Sequence, residues 1–169
     1  MRLAATCPVL LAAVVLATFA LAATPRAPSR TQIEAVMRRT VEVRDHSEHF
    51  ATLGRLVAVT VGDGRGGTLT AVLGTRSPTA DGYGQLVFFW HNGRFIGWDS
   101  PHESIALVGI EPAGTRAVRV KYAHYSNKDP FCCPSFAPVA VTYRWNGSRL
   151  TASGPLPRSP ALQVAVKRL

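Results

Sequence analysis

Two adjacent cysteines, Cys132 and Cys133, are the residues of this chain whose type and spacing point most directly to chemistry. They lie in the stretch DPFCCPS, framed by Asp129, Pro130 and Pro134. Consecutive Cα atoms lie about 3.8 Å apart, whereas ordinary disulfides span about 4.4–6.8 Å, so a bond between the two would be strained and easily reduced. Such a bond, two free thiols, a bond to another chain and buried packing residues all remain open at this point.

A metal site is the weaker alternative for the same cysteines. Thiolates bind a soft ion such as copper(I) together with a nitrogen or sulfur ligand, and His124 is the one close in sequence. The segment HSEH at residues 46–49 would place two histidines on one face of a helix. No further ligand follows it at a recognised spacing, so it is interpreted as a solvated polar linker. We therefore expect no metal and no cofactor.

The glycine-rich segment GDGRGG at residues 62–67 matches a dinucleotide-binding pattern in letters only. That pattern requires a helix to begin at the glycines, and the following TLTAVLG is typical of a strand. Asp63 alone is too few carboxylates for calcium. A plain turn is predicted. Because no nucleophile, zinc or phosphate-binding motif occurs either, we expect a non-catalytic protein, with a spatially assembled hydrolase site as the remaining enzymatic hypothesis.

The N-terminus resembles a secretory signal. Arg2 precedes a long apolar run that ends on small residues, with Ala20 and Ala22 in an A-x-A arrangement. This pattern predicts a signal peptide over residues 1–22, a flexible leader over 23–30, and a single domain over 31–169. A retained membrane anchor is the alternative, since the run is long enough for a marginal span.

The formal charge of +9 is scattered along the chain rather than concentrated in a run. An exported chain without a basic stripe or a stacking motif is a poor candidate for nucleic-acid binding. Two interpretations of the charge remain. It can attract anionic envelope polymers or lipid headgroups, or it can simply form a solvated basic surface.

Hydrophobic periodicity predicts a mainly β fold with one short N-terminal helix. Ile33, Val36 and Met37 recur at helical spacing within residues 31–43. Further along, the period changes to two, and Asn92-Gly93 favours a tight hairpin. Strands are predicted over residues 54–62, 68–74, 85–90, 94–98, 115–125, 137–145 and 161–166. About eight short strands joined by turns indicate an antiparallel meander, folded as a sandwich or partial barrel. The strand over 85–90 is apolar on both faces and should be central.

Residues 120–150, VKYAHYSNKDPFCCPSFAPVAVTYRWNGSRL, resemble the C-terminal signature of the LppP/LprE-like family of actinobacterial exported proteins. That signature is a strand ending in tyrosine, a D-P-x-C-C-P-S loop and a strand ending in R-W-x-G. Residues 54–74 are similar to a weakened form of the family's glycine–aspartate segment. The resemblance implies an extracytoplasmic envelope protein and supplies no catalytic residues. Cys7 lies before the apolar run rather than at its cleavage point, so the resemblance does not extend to a lipid-anchored cysteine.

From these observations we expect a secreted cell-envelope protein that acts as a non-catalytic binding or structural module with a vicinal-cysteine loop. The alternative is an extracytoplasmic thiol redox or copper(I)-binding protein. Expected partners are anionic envelope polymers or another envelope protein, with no nucleic acid and no transmembrane span after signal cleavage.

Overall fold

Two antiparallel β-sheets and one helix form the part of the chain that the structure, a computed structural model, describes: residues 26–42, 46–157 and 165–169. The elements in chain order are α1 (Arg30–Arg38), β1 (Thr40–Glu42), β2 (His49–Ala51), β3 (Ala58–Gly62), β4 (Thr68–Ser77), β5 (Gln85–His91), β6 (Arg94–Trp98), β7 (Leu107–Pro112), β8 (Val118–His124), β9 (Phe136–Trp145), β10 (Leu150–Ser153) and β11 (Val166–Arg168). The mainly β fold with one short helix is therefore confirmed.

Helix α1 begins with a capping box. The Ser29 side chain accepts a hydrogen bond from the Gln32 backbone N–H, and the Gln32 side chain accepts one from the Ser29 N–H. These two bonds satisfy backbone donors that have no partner inside the helix. Ile33 and Met37, one turn apart, are buried against the first sheet. The helix thus has one anchored face and a defined start.

The first sheet has the strand order β11-β1-β2-β4-β5-β6, with β3 also paired to β4. Strand β5 lies between β4 and β6 and is buried on both faces. Leu86, Phe88 and Trp90 pack on the helix side, whereas Val87 and Phe89 face the second sheet. This arrangement confirms the central position predicted from its two apolar faces.

The second sheet has the order β10-β9-β8-β7 and packs on the first through a shared core. Val118, Val120 and Tyr122 of β8 are buried in that core, while Arg119 is exposed on the other face. The alternation predicted for this strand is therefore confirmed. Strands β6 and β10 lie at the edges of their respective sheets. An open margin of the sandwich lies between them.

Several predicted boundaries were wrong. The helix ends at Arg38, because Thr40 and Val41 pair in β1 instead of continuing it. The supposed polar linker over 46–49 ends in β2, where His49 pairs with Ser77. Strand β7 was missed, because its sequence LVGIEP contains glycine and proline, which usually interrupt strands. Pairing with strands distant in sequence therefore determines where these short elements begin and end.

Some predictions fall on residues outside the described ranges. The signal peptide over 1–22 lies there, as do the first part of the leader and residues 161–164 of the last predicted strand. Residues 26–29 precede the helix without regular structure. Within the described ranges, no helix combines the length and apolar character needed to cross a membrane.

Candidate functional site

The two cysteines lie in the exposed loop between β8 and β9. Their sulfur atoms are at disulfide distance, so the pair forms a vicinal disulfide. Both residues are exposed, as are the flanking Pro130 and Pro134. The Cys133 N–H donates to the Pro130 carbonyl at 3.0 Å, which closes a tight turn around the bond. This geometry fits the disulfide interpretation, and the exposure of both residues contradicts the interpretation as buried packing residues.

Asp129 holds the two ends of this cysteine loop together. Its carboxylate accepts hydrogen bonds from the backbone N–H and hydroxyl of Ser126, at 2.7 and 2.6 Å. It accepts two more from the N–H and hydroxyl of Ser135, both at 2.8 Å. These bonds, led by the Ser126 hydroxyl, lower the pKa of Asp129 far below its ordinary value. The charged Asp129 carboxylate therefore fixes the conformation of the loop.

The surroundings of the cysteine loop provide an apolar surface. Phe131 is exposed at 40% and meets the Tyr83 ring edge-on at 5.6 Å. The ring of His124, the suggested third ligand, lies 4.8 Å from the ring of Phe136. Within the described residues, no group of three histidine, cysteine or acidic side chains is arranged to hold a metal ion.

A groove of about 690 Å³ lies elsewhere, at the open margin between β6 and β10. Its lining comes from both sheets: His91, Arg94, Phe95, Ile96, Trp98, Asp99, Tyr143, Trp145, Ser148, Arg149, Leu150 and Ala152. The volume falls in the range of small-ligand sites, about 300–1,000 Å³. The lining residues of β9 are at its C-terminal end, whereas the cysteine loop precedes its first residue. The groove and the disulfide thus lie at opposite ends of this ten-residue strand.

The floor of the groove contains a buried polar network centred on Asp99. Its carboxylate accepts hydrogen bonds from the Val87 N–H and the Tyr122 hydroxyl, both at 2.8 Å. The Tyr143 hydroxyl donates to the Asp99 carbonyl at 3.1 Å and lies 2.7 Å from the Tyr122 hydroxyl. Burial raises the pKa of Asp99 to about 7, because the charged form loses its hydration. The network joins the two sheets directly beneath the groove.

A second chain of contacts orients the aromatic residues on one side of the groove. Asp63, from the glycine-rich turn between β3 and β4, accepts hydrogen bonds from two backbone N–H groups of that turn. Its other oxygen lies 2.7 Å from Nε2 of His91, and this bond is the main cause that lowers the pKa of Asp63 to about 2. The His91 ring in turn stacks on Trp145, with centroids 4.4 Å apart and planes at 17°. Asp63 thereby sets the position of the indole through His91.

The same glycine-rich turn also touches the turn between β9 and β10. The guanidinium of Arg65 occupies the space where a Cβ on Gly147 would lie, and the backbone of Gly147 has a φ of +108°, which favours glycine. The segments GDGRGG and RWNG, far apart in sequence, therefore meet beside the groove. Sequence reasoning had interpreted the first as a plain turn. The structure confirms the turn and adds the contacts.

The groove is positively charged. Arg94 of β6 and Arg149 of the turn before β10 line it and are exposed. Neither forms an ion pair with any carboxylate of the described residues. Arg168 lies over the ring of Phe95, with its guanidinium carbon 5.6 Å from the centroid. Among the described residues that line the groove, Asp99 is the single acidic one, and burial disfavours its charge. Cations beside aromatic surface can bind an anion that also has an apolar face.

Sequence reasoning missed this groove. In the sequence, Asp63 belongs to a segment interpreted as a plain turn, and no motif includes His91 or relates it to Trp145. Each of these residues is ordinary in its local sequence, and only strand pairing brings them together. The sequence contained one signal for this site. The two segments that resemble the family include GDGRGG and RWNG, and the structure brings both beside the groove.

Comparison with known proteins gives one family. The model of the LppP/LprE lipoprotein family matches residues 64–148, which is half of the chain and includes most of the groove residues and the cysteine loop. No curated protein and no solved structure matches the chain.

Proposed function

Because the chain belongs to the LppP/LprE lipoprotein family, an envelope-associated group, we propose that it is a non-catalytic binding module of the cell envelope whose ligand site is the groove between β6 and β10. The exported location and the absence of catalysis are parts of this proposal. The two sheets form a rigid frame, and the groove at their open margin is the feature that a ligand would occupy.

One observation carries this proposal: Arg94 and Arg149 flank the groove without a carboxylate partner among the described residues. An arginine that already forms an ion pair gains little from a further anion, whereas an unpaired one offers its full charge and several donors. The overall charge of +9 attracts anions towards the surface as a whole. The groove then selects where they bind. We therefore assign an anionic envelope polymer as its partner class.

The test is cosedimentation of the purified protein with washed envelope fragments from its source organism. We expect binding at low salt that weakens steeply as salt rises, because the Debye length shrinks from about 10 Å at 0.1 M to about 3 Å at 1 M. The double variant R94Q/R149Q should lose most of this binding. The matched control is Arg144→Gln, which removes one exposed charge from the neighbouring strand β9 on its outer face. Equal binding by both variants would contradict the groove as the site.

A second candidate function is thiol–disulfide exchange at Cys132–Cys133, and the observation that favours it is the exposure of both residues. In such an exchange a partner dithiol would be oxidised while the pair is reduced to two thiols. A copper(I) version would require a third ligand from outside the described residues, since none of them forms a cluster with the cysteines.

A further inference from the structure

The indole of Trp145 is held in a fixed orientation at the wall of the groove. The ring of His91 covers one face at 4.4 Å, and Asp63 fixes His91 through a hydrogen bond of 2.7 Å. Trp145 is half-buried and lines the groove, so part of its surface is exposed there. An aromatic platform that is already positioned binds a flat apolar surface without losing side-chain entropy.

Two cationic groups flank this platform. Arg94 lies at the start of β6, and Arg149 lies next to β10, so the platform and both guanidinium groups line one groove of about 690 Å³. Guanidinium groups pair with carboxylates and phosphates through two parallel hydrogen bonds. The site therefore offers a stacking surface and a planar anion receptor close together.

We propose that the unit recognised in this groove is an acidic pyranose, that is, a sugar ring carrying a carboxylate or phosphate within an anionic glycan. The C–H face of the ring stacks on Trp145, and the acidic group pairs with Arg94 or Arg149. This inference rests on the proposed function and deepens it by naming the repeating chemistry of the polymer. A linear polyanion without rings would make no stacking contact with the indole of Trp145.

The form of the groove also favours a sugar over a lipid chain. Acyl chains require an enclosed apolar cavity, whereas this groove is open along the margin of the sandwich and is lined by polar as well as apolar groups. Ser148 and the two arginines supply the polar contacts that sugar hydroxyls need. A chain of sugars can enter such an open groove from the side.

The experiment is calorimetric titration with three probes: tetragalacturonate, its fully methyl-esterified form and tetraglutamate. Tetragalacturonate has both ring and charge, the ester keeps the ring without charge, and tetraglutamate keeps the charge without the ring. We expect tetragalacturonate to bind at least about tenfold more tightly than the ester, because each lost charge-assisted contact is worth about tenfold or more. We expect it to bind about three- to tenfold more tightly than tetraglutamate, which lacks the ring that stacks on the indole. Equal affinity for tetraglutamate would overturn the acidic-pyranose inference and leave the proposal of an anion-binding groove intact.

Variants separate the two kinds of contact. Trp145→Leu should weaken tetragalacturonate about three- to tenfold and leave tetraglutamate unchanged, since only the ring stacks. R94Q/R149Q should weaken both acidic probes, and Arg144→Gln should weaken neither. If Trp145→Leu left the affinity for tetragalacturonate unchanged, the inference would also be overturned. If neither acidic probe nor the envelope fragments respond to R94Q/R149Q, the proposed function fails as well.

Discussion

The hydroxyl of Tyr122 donates a hydrogen bond to Oδ2 of Asp99 over 2.8 Å, and this contact ties the second sheet to the end of β6 in the first. Both side chains are buried, at 1% and 7% exposure. A buried acceptor that loses its partner keeps the whole cost of leaving water. The pair is therefore a sensitive point for the packing of the two sheets.

Tyr122→Phe should lower the free energy of unfolding by about 1–3 kcal/mol, because the buried carboxylate of Asp99 would lose one of its hydrogen-bond donors. Urea denaturation followed by tryptophan fluorescence measures the change. Tyr125→Phe is the matched control. Its hydroxyl donates to the carbonyl of Phe131 in the exposed cysteine loop, where water can replace the lost donor. A larger loss for Tyr125→Phe would contradict this role of Asp99.

Stability should fall as the pH rises from about 5 to 8. Burial raises the pKa values of Asp99 and Glu103 to about 7, from ordinary values of 3.8 and 4.5. The folded state thus favours their protonated forms. This contribution is fully present below the unfolded pKa values and is lost as the pH passes through about 7. Urea midpoints at four pH values between 5 and 8 measure the slope.

The variant Asp99→Asn should reduce that slope, because the amide has no proton to lose in this range. Asp81→Asn is the control. The hydrogen bond from Thr79 lowers the pKa of Asp81, so this exposed group titrates below the window and its removal should leave the slope unchanged. A slope that is identical in all three proteins would refute the assignment to Asp99.

Replacing both Cys132 and Cys133 with serine should change the free energy of unfolding little, because a bond between neighbours encloses almost no chain. Protein that lacks residues 1–22, and with them Cys7, should show no free thiol, and two thiols should appear after addition of reductant. Thiol titration and a urea curve for the double variant test both points. A marked loss of stability would mean that these sulfurs contribute to packing despite their exposure. Two free thiols in freshly isolated protein would favour the redox candidate.

Asp63→Ala should lower the free energy of unfolding by about 1–3 kcal/mol, since the turn would lose two backbone contacts and His91 would lose its carboxylate. The emission of Trp145 should shift as the stacked histidine loosens. Asp81→Ala removes an exposed aspartate that also accepts bonds within its own loop, so it tests whether any turn aspartate has this effect. Unchanged emission in Asp63→Ala would contradict the positioning of Trp145 through His91.

Local patterns in the sequence determined much of this protein. Alternation in Val118, Val120 and Tyr122 identified β8 and its buried face, and Asn92-Gly93 identified the turn between β5 and β6, where both residues adopt positive φ. The family-like segments identified the group to which the chain belongs. These features depend on neighbouring residues, so a single sequence is sufficient to recognise them.

Only the tertiary structure decided where the groove between β6 and β10 lies. Asp63, His91 and Trp145 come from three separate strand ends, and no spacing in the sequence relates them. Their meeting depends on the pairing of β4 with β5 and on the packing of one sheet against the other. Tertiary pairing also determines short strands such as β1 and β2, because a three-residue segment has too little intrinsic β preference to form a strand without a pairing partner. The free energy that stabilises these short strands comes from long-range pairing, which depends on the whole chain.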